Sequence, residues 1–338
     1  MKEIRLGTIG SGSIVHHILD GVSVTDGISL EAVCSRSVEK GRKLAGKYGA
    51  KKVYTDLEGL FADEEVNFIY VASPNNLHYE QAKEALLRGK NVICEKPMCP
   101  RREQAAELIG LAGEKELLLV DATPTAFLPN LDTVKEKLPK IGRVRLVLSS
   151  FSQYSSRYDE LLAGRVTNVF DPDFAGGCLQ DINYYNLYLN VALFGMPAEA
   201  VYYPNICRTG VDSSGIAVLR YDDFISECAG AKDTWGENVV QIQGERGYLY
   251  IEGGANGLTK VRLCTKEGET SYNVQDNPDR WLYEVQNMTK LILERDEKTI
   301  RERLEITEKV IGIMETMRRK AGILFPGESC EKDMEETL

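Results

Sequence analysis

The sequence predicts a doubly wound parallel sheet with helices on both faces over residues 1–121. A largely antiparallel, open-sheet α+β domain over 122–325 and an acidic tail over 326–338 follow it. Three observations predict this division. Apolar segments alternate with segments of helical spacing up to about residue 121, the pattern of a parallel sheet whose crossovers are helices. A glycine loop, Gly10-Ser11-Gly12, separates the first apolar segment from the first helical one. From residue 122 short alternating segments and glycine turns take over, as antiparallel hairpins require. A chain of 338 residues also suits two cores better than one.

Taken in order, residues 3–9 read as the first strand and 14–19 as the start of the first helix. Further strands are expected at 30–33, 67–71, 91–94 and 117–120, with helices at 38–48, 77–88 and 101–112 between them. Ser37 can cap the second of these helices and Asn75 or Asn76 the third, while Gly89 can end the third in a left-handed conformation. In the second domain a helix at 131–138 precedes strands at 144–151, 200–203, 217–221, 225–229, 239–243 and 261–264. Turns are marked by Gly244-Glu245-Arg246-Gly247 and Gly253-Gly254. Helices over 281–293 and 300–317 close the fold, Gly322 stops the last one, and the tail from Glu328 reads as mobile.

Composition excludes several function classes. The 43% apolar and 27% charged fractions are those of a globular protein, and no apolar stretch approaches the ~20 residues that span a bilayer. A net charge of −10, with no basic stripe interleaved with aromatics, argues against nucleic acid. The eight cysteines form no Cys-x-x-Cys pair, so they read as buried thiols rather than a metal or disulfide framework. His16 and His17 lack companions at metal-binding spacing and read as packing residues. Met1 to Leu6 lead straight into the first strand without the pattern of a secretion signal, so a cytoplasmic location is expected.

In Gly10-Ser11-Gly12-Ser13-Ile14-Val15 the first glycine permits a tight turn. The second leaves room for a pyrophosphate to meet backbone N–H groups at the helix start. Val15 stands where the usual fingerprint has a third glycine. After a strand and before a helix, Gly10, Ser11, Gly12, Ser13 and Ile14 therefore read as the dinucleotide cradle of a Rossmann domain. The second strand ends in Ser35-Arg36-Ser37, where NAD-specific domains carry a carboxylate for the ribose. Ser35 and Arg36 can bind a 2′-phosphate, so NADP is expected in preference to NAD; stacking of Arg36 on adenine would serve either. Ser73, Pro74 and Asn75 end the central strand beside the expected cofactor, and His78 follows as a structural or cofactor-side residue. Glu95, Lys96 and Pro97 end the next strand. Proline restricts its predecessor, which fixes where the lysine points, and a cis Lys96-Pro97 bond is expected.

With the glycine loop and Glu95-Lys96-Pro97 in place, the chain resembles the glucose-fructose oxidoreductase, inositol dehydrogenase and MocA family over nearly its whole length. The resemblance implies that Lys96 contacts nicotinamide and substrate and that Glu95 orients it, a plain salt bridge being the other reading. A second family segment reads Ala175-Gly176-Gly177-Cys178-Leu179-Gln180-Asp181-Ile182-Asn183-Tyr184-Tyr185. Asp181 matches the family's substrate-site aspartate. Tyr185 stands where sugar and inositol dehydrogenases carry histidine, as in the tyrosine-containing dihydrodiol dehydrogenase-like members. Asn183 replaces a common glycine, and Ala126 falls where dihydrodiol dehydrogenase relatives carry arginine.

The function so implied is hydride transfer between nicotinamide and a secondary alcohol or carbonyl of a polyol, sugar derivative or dihydrodiol. Such a reaction needs an acid/base and a positive field at the oxygen. Tyr185 and Lys96, expected to converge beside the reactive ring, supply these; either could move the proton. Arg157, Tyr158, Asn168 and Asp171 are expected in the loops before the glycine-rich segment, each read first as a solvated loop residue and second as lining the substrate pocket. The apolar strand Gly215 to Leu219 suggests a homodimer or homotetramer through the second sheet. The resemblance also admits a noncatalytic nucleotide-sensing regulator, and an enzyme that uses its cofactor transiently for glycosidic cleavage.

Overall fold

A computed structural model describes residues 3–329. The chain divides into two compact units. Residues 3–127 pack with 279–308, and residues 128–278 pack with 309–329. The sequence reading gave residues 279–308 to the second domain. They fold with the first because helical periodicity identifies an apolar face but not the sheet that covers it.

In the first unit β1 (Ile4–Ile9), α1 (Ser13–Val22), β2 (Ile28–Cys34), α2 (Val38–Tyr48), β3 (Lys52–Tyr54), α3 (Leu57–Ala62), β4 (Phe68–Val71), α4 (Asn75–Leu87), β5 (Asn91–Glu95), α5 (Arg102–Glu114) and β6 (Leu119–Ala122) alternate. Their strands form one parallel sheet in the order β3-β2-β1-β4-β5-β6. The order reverses direction at β1 and β4, which puts the ends of both strands at the topological switch point. Ile4, Leu6, Phe68, Ile69, Val71, Val92 and Ile93 are fully buried, as a sheet covered on both faces requires. Ser37 caps α2 by accepting from the Lys40 N–H, and Gly89 follows α4 at φ 77°. The expected Asn cap of α4 is absent: Pro74 occupies that position and Asn75 is already helical. The short elements β3 and α3 carry too few residues to show a period and escape a sequence reading.

The second unit contains α6 (Asn130–Lys137), β7 (Val144–Ser152), α7 (Ser156–Leu162), α8 (Tyr184–Phe194), β8 (Glu199–Ile206), β9 (Asp212–Arg220), β10 (Ile225–Ala231), β11 (Val239–Gly244), β12 (Gly247–Glu252), α9 (Gly254–Gly257), β13 (Lys260–Thr265) and β14 (Gly268–Tyr272). The sheet order is β14-β13-β12-β11-β7-β10-β9-β8. Every pair is antiparallel except β7 with β10. β11 and β12 form the expected hairpin about Glu245-Arg246. Arg157 and Tyr158, expected in a loop, lie on α7. The helix α8 is seated on β10 by an amide seam: Asn183 donates to Cys228 O (2.8 Å), and Asn186 to Ala229 O and to Asn183 Oδ1 (both 3.0 Å). That seam explains Asn183, whose side chain packs over Gly230.

Two helices remain, α10 (Arg280–Leu293) in the first unit and α11 (Glu297–Lys320), within which the division at Glu308 falls. On α10, Val285 packs against Gly21 of α1, and Trp281 stacks on His17 at 4.0 Å. Thr307 of α11 donates to the buried Asp121 at the end of β6 (2.7 Å). Glu328 is fixed rather than mobile. The fully buried Arg318 grips its carboxylate with both terminal nitrogens, because a buried guanidinium needs an ionic partner. The remainder of the expected tail, from Cys330, lies outside the described residues.

Candidate functional site

Gly10 adopts φ 117°, and a Cβ there would strike the carbonyl oxygen of Ala72, so only glycine can turn the chain from β1 into α1 at this point. Its N–H bonds Cys34 O (3.2 Å), tying the loop to the end of β2. Gly12 is the N-cap of α1 and offers no side-chain cap. Among the described residues, chain neighbours and the helix's own backbone aside, no heavy atom lies within 4 Å of where its Cβ would stand, and the first turn holds no acidic residue. Gly12 and Ser13 are exposed, with Ser11 and Ile14 partly so. The accessible Gly12 and Ser13 thus stand at the positive end of a helix, whose first-turn N–H groups have no partner within the helix. At the end of β2, Ser35 is buried and its hydroxyl accepts from Ser37 N–H (3.3 Å). Arg36 is exposed and, among the described residues, makes no hydrogen bond or ion pair.

The ends of β4 and β5 are joined by His78. Its buried ring sets Nε2 at 2.7 Å from Ser73 O and Nδ1 at 3.0 Å from Pro97 O, so it holds together the two loops that follow these strands. Burial pushes its pKa below the ordinary histidine value, against these two backbone contacts. The Ser73 hydroxyl meets Gln81 Oε1 (2.7 Å). The Lys96-Pro97 bond is cis, and Lys96 is partly exposed. Behind it Glu95 is buried, accepting from the Tyr70 hydroxyl (2.7 Å) and from Lys96 N–H (3.2 Å). Burial pushes Glu95 up to about 7, although the Tyr70 bond and the Lys96 charge oppose the rise. Glu284 of α10 is also fully buried. Neither of its oxygens is hydrogen-bonded among the described residues, and burial together with the charge of Glu95 raises it well above the usual carboxylate range.

In the second unit the glycine pair serves packing. A Cβ on Gly176 would meet the carbonyl oxygens of Asn168 and Val169 at 2.6 Å, and one on Gly177, at φ 116°, would strike the Asp212 carboxylate. Asp212, buried at the start of β9, accepts from Leu179 N–H (2.7 Å) and the Tyr202 hydroxyl (2.5 Å). It thereby anchors the start of the helical segment that follows. The segment Leu179–Asn183 is π-helical before it passes into α8. Asp181 projects from this π segment and pairs with Lys232, which immediately follows β10. Tyr185 is buried on the first turn of α8, its ring edge-on to Phe151 of β7 (5.6 Å) and to Tyr184 (6.2 Å). Asp171 caps the following turn by accepting from Asp173 N–H (2.9 Å).

The model of the family described as "Oxidoreductase family, NAD-binding Rossmann fold" (GFO_IDH_MocA) matches residues 4–122. The chain is 33% identical to scyllo-inositol 2-dehydrogenase (NADP(+)) IolU of Bacillus subtilis (strain 168), over 96% of this chain and 99% of that protein. The chain belongs to this family. It is an NAD(P)-dependent oxidoreductase. Another Gfo/Idh/MocA relative, the trans-1,2-dihydrobenzene-1,2-diol dehydrogenase of Xenopus tropicalis, is 23% identical over 95% of this chain and 99% of its own. The fold is shared with KijD10, a 3-ketoreductase from Actinomadura kijaniata. One crystal structure of it, a mutant in complex with TDP-benzene and NADP, matches with a TM-score of 0.84 at 22% identity, covering 96% of this chain and 100% of that one.

The residues present fit a dinucleotide. The uncapped α1 terminus at the exposed Gly12 suits a pyrophosphate, and the exposed Arg36 just past the end of β2 suits a further anionic group. No helix among the described residues is long and apolar enough to cross a membrane. The sequence reading missed Lys232 and Glu284. Lys232 was readable in hindsight, since it continues the inward series Ser226, Cys228, Gly230 at strand spacing. Glu284 carried no signal, because a lone glutamate in an amphipathic helix reads as a solvated face.

Proposed function

We propose that this enzyme interconverts a secondary alcohol and its carbonyl on a polyol or sugar ring, or on a dihydrodiol, with NADP preferred to NAD. The observation that carries the reading is the end-to-end similarity to an NADP-dependent inositol dehydrogenase. The nicotinamide, when bound, supplies or accepts the hydride. The backbone N–H groups of Gly12 and Ser13 hold its pyrophosphate, and Arg36 with Ser35 meets the 2′-phosphate by charge-assisted hydrogen bonds. Lys96 provides the positive field at the substrate oxygen, Tyr185 moves the proton there, and Asp181 accepts a hydrogen bond from a neighbouring substrate hydroxyl.

A ring substrate is also favoured by an aromatic platform in the second unit. Trp235 is 79% exposed and stacks on Tyr154, with ring centroids 5.6 Å apart and planes 8° from parallel. An exposed indole face suits the apolar face of a sugar or polyol ring. The same reading pairs two copies of the chain through the outer face of β8 and β9. It sets the enzyme in the cytoplasm, in keeping with the free thiols of Cys34, Cys94, Cys99, Cys178, Cys228 and Cys264.

Turnover of NADP+ with inositols, sugars and dihydrodiols, and of NADPH with their ketones, tests the proposal. Tyr185→Phe and Lys96→Met should each lower kcat at least about 100-fold while NADPH still binds. Unchanged turnover in both variants would refute the assigned chemistry. Arg36→Ala should reduce the NADP-over-NAD preference roughly 10- to 100-fold; an unchanged ratio would remove Arg36 from cofactor selection.

A further inference from the structure

We infer that Lys232 is a positioning residue of the substrate site, holding Asp181 as an oriented carboxylate so that Asp181 accepts a hydrogen bond from substrate and takes no part in proton transfer. The inference rests on the reading that Asp181 meets substrate. Its geometry lies wholly within the second unit. The Lys232 side chain is only 6% exposed, whereas Asp181, its ion-pair partner, is 39% exposed. The lysine is thus the hidden member of the pair, and the aspartate is the one a ligand can reach.

The ammonium is placed by rigid backbone. Lys232 N–H donates to Ser213 O (2.8 Å), and Lys232 O accepts from Ser155 N–H (2.9 Å), so the residue is clamped between the start of β9 and the continuation of β7. The next residue, Asp233, accepts from the hydroxyls of Ser213 (2.6 Å) and Ser214 (2.9 Å), locking the same strand end. Asp181 is held from its own side, because the π segment that carries it hangs on Asp212.

A buried ammonium is tolerated only with an ionised partner, and the partner here is Asp181. Once committed to that charge, the carboxylate can accept hydrogen bonds but cannot donate a proton. Proton transfer is left to the other residues of the site. Cys178 lies within electrostatic reach of both members of the pair and of Asp212 and Asp233. Asp212 and Asp233 add carboxyls to the same neighbourhood, so removing the ammonium turns the field at Asp181 against ionisation.

Lys232→Met should bind NADPH as the wild type does and lose about 10- to 100-fold in kcat/KM, chiefly through KM. Lys232→Arg should recover part of that loss. The acid limb of the kcat/KM profile should move up by about 1–3 pH units in Lys232→Met, and the move should vanish when Asp181→Asn is added. A Lys232→Met enzyme with wild-type kcat/KM and an unmoved acid limb overturns the inference. If the wild type turns over no compound of the panel, it is the functional reading that fails. Lys232 is then judged by the carboxyl carbon-13 titration of Asp181, assigned through Asp181→Asn. A midpoint that rises in Lys232→Met supports the inference, and one that stays in place overturns it.

Discussion

Glu95 and Glu284 are carboxyls that the first unit buries without full compensation, and the consequence is a pH dependence of stability. Both are raised by burial, Glu95 to about 7 and Glu284 well above its ordinary range. The folded protein therefore binds their protons more tightly than the unfolded chain does. Each contribution is complete below about pH 4.3, the free glutamate value, and that of Glu95 is lost as pH rises through 7. Urea denaturation at pH 5, 6, 7 and 8 should show wild-type stability falling relative to Glu95→Gln and Glu284→Gln, by on the order of a few kcal/mol across the range. Parallel curves for all three proteins would show that neither carboxyl titrates in that window. Neither effect was legible in the sequence, which places Glu95 beside Lys96 but cannot show that Tyr70 and α10 enclose it.

The glycine-rich segment shows how an element, rather than a residue, sets the second unit's chemistry. Gly176 and Gly177 were readable as a marker of the segment, and the tyrosine four residues beyond Asp181 was readable as well. Their reason was not readable, because it lies in Asp212, 35 positions after Gly177 on another strand. Gly177→Ala combines a left-handed backbone with a Cβ pushed into the Asp212 carboxylate. It should cost about 2–3 kcal/mol and abolish most turnover. Asp212→Asn, which keeps the shape and loses the charge, should be milder. Thermal denaturation and kcat for both check this, and a fully stable Gly177→Ala would show that the carboxylate contact is dispensable. The strand and helix succession was legible because long elements show their period. β3, α3 and β12 were not, being too short or too close to glycine turns.

At the scale of the whole molecule, the outer face of the second sheet carries Tyr203, 65% exposed, opposite Ile216, with Val201 opposite Val218. Exposed apolar pairs in register across two strands are what the proposed pairing of two copies would cover. Tyr203→Glu combined with Ile216→Glu should convert the proposed dimer into a monomer in light scattering, with NADPH affinity unchanged. A wild type that is already monomeric at micromolar concentration would remove the proposal. The family and the order of both domains were legible from the glycine loop, Glu95-Lys96-Pro97 and the second glycine segment. The membership of residues 279–308 was not, since an amphipathic helix does not name its partner.

That membership bears on synthesis. A ribosome that has delivered the first 127 residues has made all six strands of the nucleotide-binding sheet, but not α10, which contributes Val285 against Gly21 and Trp281 against His17. The emerging polypeptide must keep that apolar surface waiting while the whole intervening unit is translated. Chaperone occupancy on the nascent chain should therefore persist until codons near 308 have been read, and a fragment ending at Phe127 should aggregate where one restored with 279–308 through a short linker stays in solution.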